Sequence, residues 1–107
     1  MTVNPFDLSG KVAVVSGAGR GIGKAIALSL ARAGADVAVF SRTEEQFRAT
    51  ATEIEELGRR ALGLRVDVSL AADVAAMVES VLREFGRLDI MVNNAGLNPV
   101  YCRVEQI

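Results

Sequence analysis

Short apolar runs alternate along this chain with longer segments in which apolar residues recur at helical spacing. The apolar runs are rich in valine, alanine and leucine, which is typical of parallel strands covered by helices on both faces. These runs span residues 11–16, 36–41, 61–68 and 88–93. The intervening segments predict helices over residues 21–33, 44–57 and 69–85. The pattern therefore predicts the order β-α-β-α-β-α-β.

Each predicted helix has an apolar stripe and an end signal. Glycine follows every helix, at Gly34, Gly58 and Gly86, where it can take the positive φ of a helix C-terminus. A capping box is predicted to begin at Thr43, and Ser69 is predicted to be the N-cap of the third helix. The stripes at helical spacing are Ile22, Ala25, Ile26, Leu30 and Ala33; Phe47, Ala51, Ile54 and Leu57; and Val74, Met77, Val78, Val81 and Phe85.

Short connections between the elements determine the expected topology. Parallel strands joined by right-handed crossovers leave helices on both faces of one sheet. We therefore expect an α/β fold, a doubly wound parallel sheet with strand order 3-2-1-4, in a single partial nucleotide-binding domain over residues 1–107. Ligands bind such sheets at the carboxyl ends of the strands, beside the switch between the first and fourth strands. Residues 17–23, 41–42, 67–68 and 93–96 are all predicted to lie there.

A glycine-rich turn connects the first strand to the first helix and reads Ser16-Gly17-Ala18-Gly19-Arg20-Gly21-Ile22-Gly23. Glycines allow positive φ and close approach of a ligand, and the helix start offers free N–H groups to a pyrophosphate. The spacing is G-x-x-x-G-x-G rather than G-x-G-x-x-G, because Ile22 stands where the third glycine would be. It is not a Walker loop, since Ala25 follows Gly23-Lys24. The alternative is a tight strand–helix turn without a ligand.

The fourth strand ends in a second informative segment, Asp89-Ile90-Met91-Val92-Asn93-Asn94-Ala95-Gly96. Together with the glycine turn and the Asp67-Val68 pair, it resembles the N-terminal half of the short-chain dehydrogenase/reductase family in both residues and spacing. The resemblance runs from Leu8 to about Gly96. It implies a Rossmann-like fold and hydride transfer between a nicotinamide cofactor and a carbonyl or alcohol substrate.

The end of the second strand bears on the choice of cofactor. An acidic residue there usually bonds the ribose hydroxyls of NAD, but this chain has Ser41-Arg42, and Asp36 stands at the opposite end of the strand. A guanidinium suits a 2′-phosphate, and Arg20 in the glycine turn adds a second cation. NADP-preferring members of the family are similar at both arginines. We therefore expect NADP(H), with NAD(H) as the alternative.

The resemblance also implies roles for the remaining residues of the crevice. Asp67 would hydrogen-bond the adenine amino group, Val68 would pack on the ring, and residues 94–96 would lie along the adenosine ribose. Asn93 is expected to have a structural role, bridging strands of the sheet. The residues expected to bind the cofactor are Gly17, Gly19, Arg20, Gly21, Ile22, Gly23, Ser41, Arg42, Asp67, Val68, Asn94, Ala95 and Gly96.

The catalytic part of the family pattern does not occur in this sequence. Members use a Ser and a Tyr-x-x-x-Lys pair, whereas the single tyrosine here, Tyr101, is followed four residues later by Glu105. The chain is therefore expected to be the cofactor-binding half of a longer reductase, inactive by itself, with the substrate bound only by a full-length parent. The alternative is a non-catalytic nucleotide-binding or structural module.

Composition narrows the remaining possibilities. The net charge is −1, no basic run indicates nucleic acid, and Cys102 is the only cysteine. With no histidine, a metal site is not expected, and without a basic start or a long apolar run we expect no secretory signal or membrane span and a cytoplasmic location. Ile90-Met91-Val92 is expected to form an unpaired apolar edge through which the chain self-associates.

Overall fold

A computed structural model describes residues 7–17, 21–67, 69–93 and, as backbone, 100–103. Strands and helices alternate as the sequence predicts, and the bounds differ from the predicted ones by three residues or fewer. The elements are β1 (Val12–Ser16), α1 (Gly21–Arg32), β2 (Asp36–Ser41), α2 (Glu44–Glu56), β3 (Ala61–Arg65), α3 (Ala71–Phe85), β4 (Ile90–Asn93) and β5 (Val100–Arg103).

The strands form one sheet in the order β3-β2-β1-β4-β5. β1 lies at its centre and pairs in parallel with β2 on one side and β4 on the other, with Val14 opposite Ala38 and Met91. β2 also pairs in parallel with β3. The predicted α/β fold with strand order 3-2-1-4 is therefore confirmed.

β4 is not an edge strand, so the prediction that Ile90-Met91-Val92 is left unpaired is wrong. β5 lies beside β4 in antiparallel register, with Met91 opposite Cys102 and Val92 opposite Tyr101. Valine and tyrosine favour extended backbone, and a four-residue run is too short to show a period along the chain. Because β5 covers this edge, self-association through β4 loses the physical basis that the sequence suggested.

The core lies on both faces of the sheet because β1 is buried at all five of its positions. Alternate residues of the central strands point to opposite faces, so each face receives its own apolar cluster. The cluster between α1, α2 and the sheet contains Val15, Val37, Val39, Ala27, Ala31, Phe47 and Ile54. The cluster between α3 and the sheet contains Val14, Ala38, Phe40, Met77, Val81 and Leu88. Among the described helices, none is long and apolar enough to cross a bilayer.

Three residues of the predicted apolar stripes, Ile22, Ala25 and Leu57, are exposed. Ile22 is 67% exposed and Leu57 is 40% exposed. Leu57 follows the last residue of α2, so the helical phase no longer directs it to the sheet. α1 instead buries Gly23, Ala27 and Ala31, whose small side chains let the helix backbone approach the sheet closely.

The helix starts differ from the predicted caps, whereas the end of α3 agrees. Thr43 occupies the N-cap position of α2 but makes no side-chain capping bond, so the predicted capping box does not form. Leu70 is the N-cap of α3, and the cap assigned to Ser69 is wrong because its hydroxyl bonds to Asp67 instead. Gly86 ends α3 in the left-handed region at φ 81°.

Polar side chains tie the elements together at the amino edge of the sheet. The Asp36 carboxylate accepts hydrogen bonds from the backbone N–H and the Nε of Arg60, both at 3.0 Å. The Arg60 guanidinium lies 4.9 Å from the centre of the Phe85 ring, a cation–π distance. Asp89 accepts the Val12 N–H at 2.9 Å and pairs with Arg87 at 2.7 Å. These contacts fix where β1, β2, β3 and β4 enter the sheet.

Replacing Gly34 by alanine is expected to destabilise the fold more than the same change at Gly58. Both glycines have positive φ, 112° and 84°, so each variant loses about 1 kcal/mol from backbone strain. A Cβ at Gly34 would also lie 2.8 Å from the Ser9 Oγ and 2.9 Å from its backbone nitrogen, whereas at Gly58 it meets nothing within 4 Å. We expect Gly34→Ala to cost about 1–3 kcal/mol more in urea unfolding. Equal losses would contradict the contact with Ser9.

Asp89→Asn is expected to lower stability near neutral pH and to lose this effect in acid. The hydrogen bond from Arg87 is the main cause that lowers the pKa of Asp89 below its ordinary value, and the Val12 N–H and the charges of Arg87 and Lys11 act in the same direction. A lowered carboxyl pKa stabilises the fold above the unfolded value, and the contribution disappears as pH falls through the folded value, in the range below about pH 4.

The measurement is the free energy of unfolding of both proteins between neutral pH and acid. The two curves should converge as pH falls. Glu79→Gln on α3 is the control, because that exposed carboxylate makes no ion pair with the residues that the structure describes. A gap between wild type and Asp89→Asn that stays constant with pH would refute the assigned role.

Candidate functional site

The carboxyl ends of three strands lie side by side at one edge of the sheet. Backbone hydrogen bonds extend the pairing past the strand ends: the Gly17 N–H donates to the Phe40 carbonyl at 2.9 Å. In the same way the Val66 N–H donates to the Ser41 carbonyl at 3.0 Å. The residues that follow β1, β2 and β3 are therefore held in fixed relative positions, as predicted for a ligand crevice.

The glycine turn enters this edge in a conformation that requires glycine. Gly17 and Gly21 both have φ of 61°, in the left-handed region. No residue that the structure describes lies within 4 Å of a Cβ added at Gly21, so none of these residues fills the space beside this backbone. α1 begins at Gly21, and its first turn contains no acidic residue. Its N–H groups and positive dipole end are therefore available to an anion, which fits a pyrophosphate.

Two further residues of the turn can be placed. Gly23 is buried in α1, consistent with close packing of the helix against the sheet, and Ile22 is exposed beside it. Gly19 and Arg20, which the sequence assigns to cofactor binding, lie outside the described residues.

Ser41 and Arg42 follow the end of β2. The Ser41 hydroxyl donates to the carbonyl of Thr43 at 2.8 Å, so it holds the turn that leads into α2. Arg42 is exposed and forms no ion pair among the parts of the chain that the structure describes. The Arg42 guanidinium can therefore bind an anionic group from solution.

Asp67 follows the end of β3 and is a neighbour of Arg42. Its pKa is lowered below the ordinary value, first by the hydrogen bond from the Ser69 hydroxyl, then by the Ser69 N–H, with the Arg42 charge acting in the same direction. The carboxylate is therefore ionised at neutral pH and can accept a hydrogen bond from a ligand amino group. Val68 lies outside the described residues.

A network that the sequence interpretation missed holds Asp67 in place. Its Oδ1 accepts the Ser69 hydroxyl at 2.6 Å and the Ser69 N–H at 3.0 Å. Its own backbone N–H donates to the Oδ2 of Asp73 in the first turn of α3, also at 3.0 Å. The available signal was the Asp-x-Ser spacing, which favours a local side-chain turn over a helix cap.

Asn93 at the end of β4 has the structural role that the sequence indicates. The Ser16 hydroxyl donates to its Oδ1 at 3.2 Å, linking the ends of β1 and β4. This hydrogen bond joins the end of β1, where the glycine turn begins, to the neighbouring strand β4. Asn94, Ala95 and Gly96, which would follow toward the crevice, lie outside the described residues.

Comparison with known proteins agrees with this geometry. A sequence model of the short chain dehydrogenases matches residues 11–106. Short chain dehydrogenase/reductase astE of Aspergillus oryzae is 50% identical over 95 residues, which cover 88% of this chain and 36% of that protein.

Solved structures are similar in both sequence and backbone. Hydroxysteroid dehydrogenase of Escherichia coli is 38% identical with a TM-score of 0.82, over 85% of this chain and 39% of that one. An NAD+-bound xylitol dehydrogenase is 36% identical with a TM-score of 0.76, over 78% of this chain and 32% of that one.

The chain spans about a third of the length of the curated relatives that it matches. The matched residues contain the strands in this order, the positive-φ glycines and the polar residues at the strand ends. These observations together show that the chain belongs to the short-chain dehydrogenase family, whose members bind nicotinamide dinucleotides.

Proposed function

We propose that this chain forms the NADP(H)-binding half of a short-chain oxidoreductase that transfers hydride between the nicotinamide and a carbonyl or alcohol substrate. The observation that supports this best is the exposed Arg42 beside Asp67, at the sheet edge where the glycine turn also opens. The chain spans about a third of its relatives' length, and we propose the oxidoreductase activity and its substrate for a longer protein that contains this chain.

The glycine turn would hold the pyrophosphate. Gly17 and Gly21 have positive φ and no side chain, and the lack of any described residue within 4 Å of a Cβ at Gly21 supports close approach of phosphate oxygens there. The start of α1 supplies N–H donors without a nearby acidic side chain in its first turn. Arg20, Gly19 and the exposed Ile22 would complete this part of the site.

Arg42 would bind the 2′-phosphate. A carboxylate at the end of β2 would repel this group, and the chain has Ser41-Arg42 there instead. Asp36 lies at the opposite end of β2 and is paired with Arg60, so it is not available to ribose hydroxyls. NAD(H) is the alternative cofactor, and the similar xylitol dehydrogenase was solved with NAD+ bound.

Asp67 would accept a hydrogen bond from the adenine amino group. Its Oδ1 is bonded to Ser69, and its Oδ2 has no hydrogen-bond partner among the residues described. Val68 would pack on the adenine ring, and Asn94, Ala95 and Gly96 would lie along the adenosine ribose. Asn93 would keep its bond to Ser16 and act only through the sheet.

The bound nicotinamide would supply the hydride chemistry, and the residues of this chain would bind and orient the cofactor. Acid–base catalysis at the substrate needs a Tyr-x-x-x-Lys pair in this family. The single tyrosine of this sequence, Tyr101, is followed four residues later by Glu105 rather than by lysine. That observation favours the second candidate, a non-catalytic nucleotide-binding or structural module. The cytoplasmic location expected from the sequence stays a prediction.

Titration with NADPH and NADH, followed by cofactor fluorescence, tests the proposed function. We expect saturable binding of NADPH that is tighter than that of NADH. Assaying the same protein with simple ketones and NADPH should give no turnover under either candidate, because the sequence lacks the Tyr-x-x-x-Lys pair, and turnover would contradict the assignment of this chain as a binding half. If neither dinucleotide binds, the proposed function is wrong.

Arg42→Ala is expected to weaken NADPH binding about tenfold or more, the size expected for a lost charge-assisted hydrogen bond, and to leave NADH binding nearly unchanged. The physical reason is that only NADPH has a phosphate at the ribose 2′ position. Dissociation constants for both dinucleotides at fixed ionic strength provide the measurement.

Arg83→Ala is the matched control for this prediction. Arg83 is an equally charged residue in the last turn of α3, at the end of the helix remote from the strand carboxyl ends. It should change neither affinity. A loss shared equally by NADPH and NADH in Arg42→Ala would contradict 2′-phosphate recognition by Arg42.

A further inference from the structure

We infer that Ser69 and Asp73 are positioning residues that fix the Asp67 carboxylate for recognition of an aminopurine, and so set a preference for adenine over hypoxanthine at this site. The inference rests on the proposed function, because it assumes that Asp67 faces the base of the dinucleotide. Neither Ser69 nor Asp73 is expected to touch the ligand. Their effect is measured as the preference for adenine over hypoxanthine.

The hydrogen bonds around Asp67 restrict both its side chain and its backbone. Ser69 donates twice to the same oxygen, Oδ1, at 2.6 Å and 3.0 Å, which limits rotation of the carboxylate. Asp73 accepts the Asp67 N–H at 3.0 Å, which holds the backbone from which that side chain projects.

The same segment is tied to α3, so the arrangement is anchored to a packed element. The Leu70 N–H donates to the Asp67 carbonyl at 3.0 Å, and the Asp73 N–H donates to the Leu70 carbonyl at 3.1 Å. α3 is in turn fixed to the sheet by the buried side chains of Met77 and Val81. The position of Asp67 therefore depends on the helix as well as on the strand before it.

The chemistry of the base gives this arrangement a specificity. The second carboxylate oxygen, Oδ2, can only accept a hydrogen bond while the group is ionised. Adenine offers an amino donor at position 6, whereas hypoxanthine presents a carbonyl oxygen there and would be repelled. A carboxylate free to rotate could turn away from that oxygen, so a fixed Asp67 discriminates more strongly than a mobile one.

The experiment compares NADPH with nicotinamide hypoxanthine dinucleotide phosphate as probes, in wild type and in Ser69→Ala. We expect wild type to bind the adenine form more tightly, and Ser69→Ala to reduce the ratio of the two dissociation constants about five- to tenfold, which is less than one full hydrogen bond to a charged group because Ser69 acts only through Asp67. Ser69→Thr keeps the hydroxyl and should restore the ratio.

Asp73 provides an independent variant in the same network. Asp73→Ala removes the acceptor of the Asp67 N–H and should reduce the ratio, whereas Asp73→Asn retains an amide oxygen and should preserve much of it. Ser29→Ala, at an exposed serine of α1 away from the crevice, is the control and should leave the ratio unchanged. Thermal unfolding of every variant shows whether the substitution lowers stability. A general loss of stability would weaken binding of both probes equally and leave the ratio unchanged.

The possible outcomes separate the two proposals. If wild type discriminates between the probes and both Ser69→Ala and Asp73→Ala keep the full ratio, the positioning role is wrong and the proposed function stands. If wild type binds both probes equally, Asp67 does not read the base and the positioning role is overturned as well. If it binds neither probe, the proposed function and this inference both fail.

Discussion

Burial of β1 on both faces is the constraint on which the rest of the structure depends. All five of its residues are buried, and Val14 and Val15 have no exposed surface, so the strand can neither slip in register nor tilt without opening both clusters. Its parallel pairing to β2 and β4 then determines where Gly17 leaves the sheet. The buried core therefore determines the point at which the glycine turn begins.

The two edges of the sheet use the same residue types in different ways. At the amino edge, Arg60 and Arg87 are each paired with an aspartate, and these pairs hold strands in position. At the carboxyl edge, Arg42 lies near Asp67, and within the described part of the chain neither side chain has an ion-pair partner. Paired charges at the amino edge and charges without an ion-pair partner among the described residues at the carboxyl edge support the proposal that the ligand binds at the carboxyl edge.

Much of this could be predicted from the sequence, because apolar periodicity and turn chemistry act locally. The apolar run before Gly17 predicts a covered strand, and the position of Asp36 at the start of β2 predicts that it lies at the opposite edge from the glycine turn. What could not be predicted depends on neighbours that the chain order does not reveal. β5 is recognised only beside β4, Leu57 is exposed only because α2 ends at Glu56, and Ser69 bonds to Asp67 rather than capping α3.

The misassigned role of Ser69 shows how a local choice of hydrogen bond can hold the carboxylate that follows a strand. A serine before a helix can bond the free N–H groups of the first turn or a nearby aspartate, and the two options exclude each other geometrically. Here Leu70 takes the cap position without a side-chain acceptor, and Asp73 accepts the N–H of Asp67. The start of α3 therefore has no side-chain cap, while Asp67, which follows β3, is held by hydrogen bonds to Ser69 and Asp73. This exchange supports the proposal that Asp67 presents one carboxylate oxygen in a fixed direction.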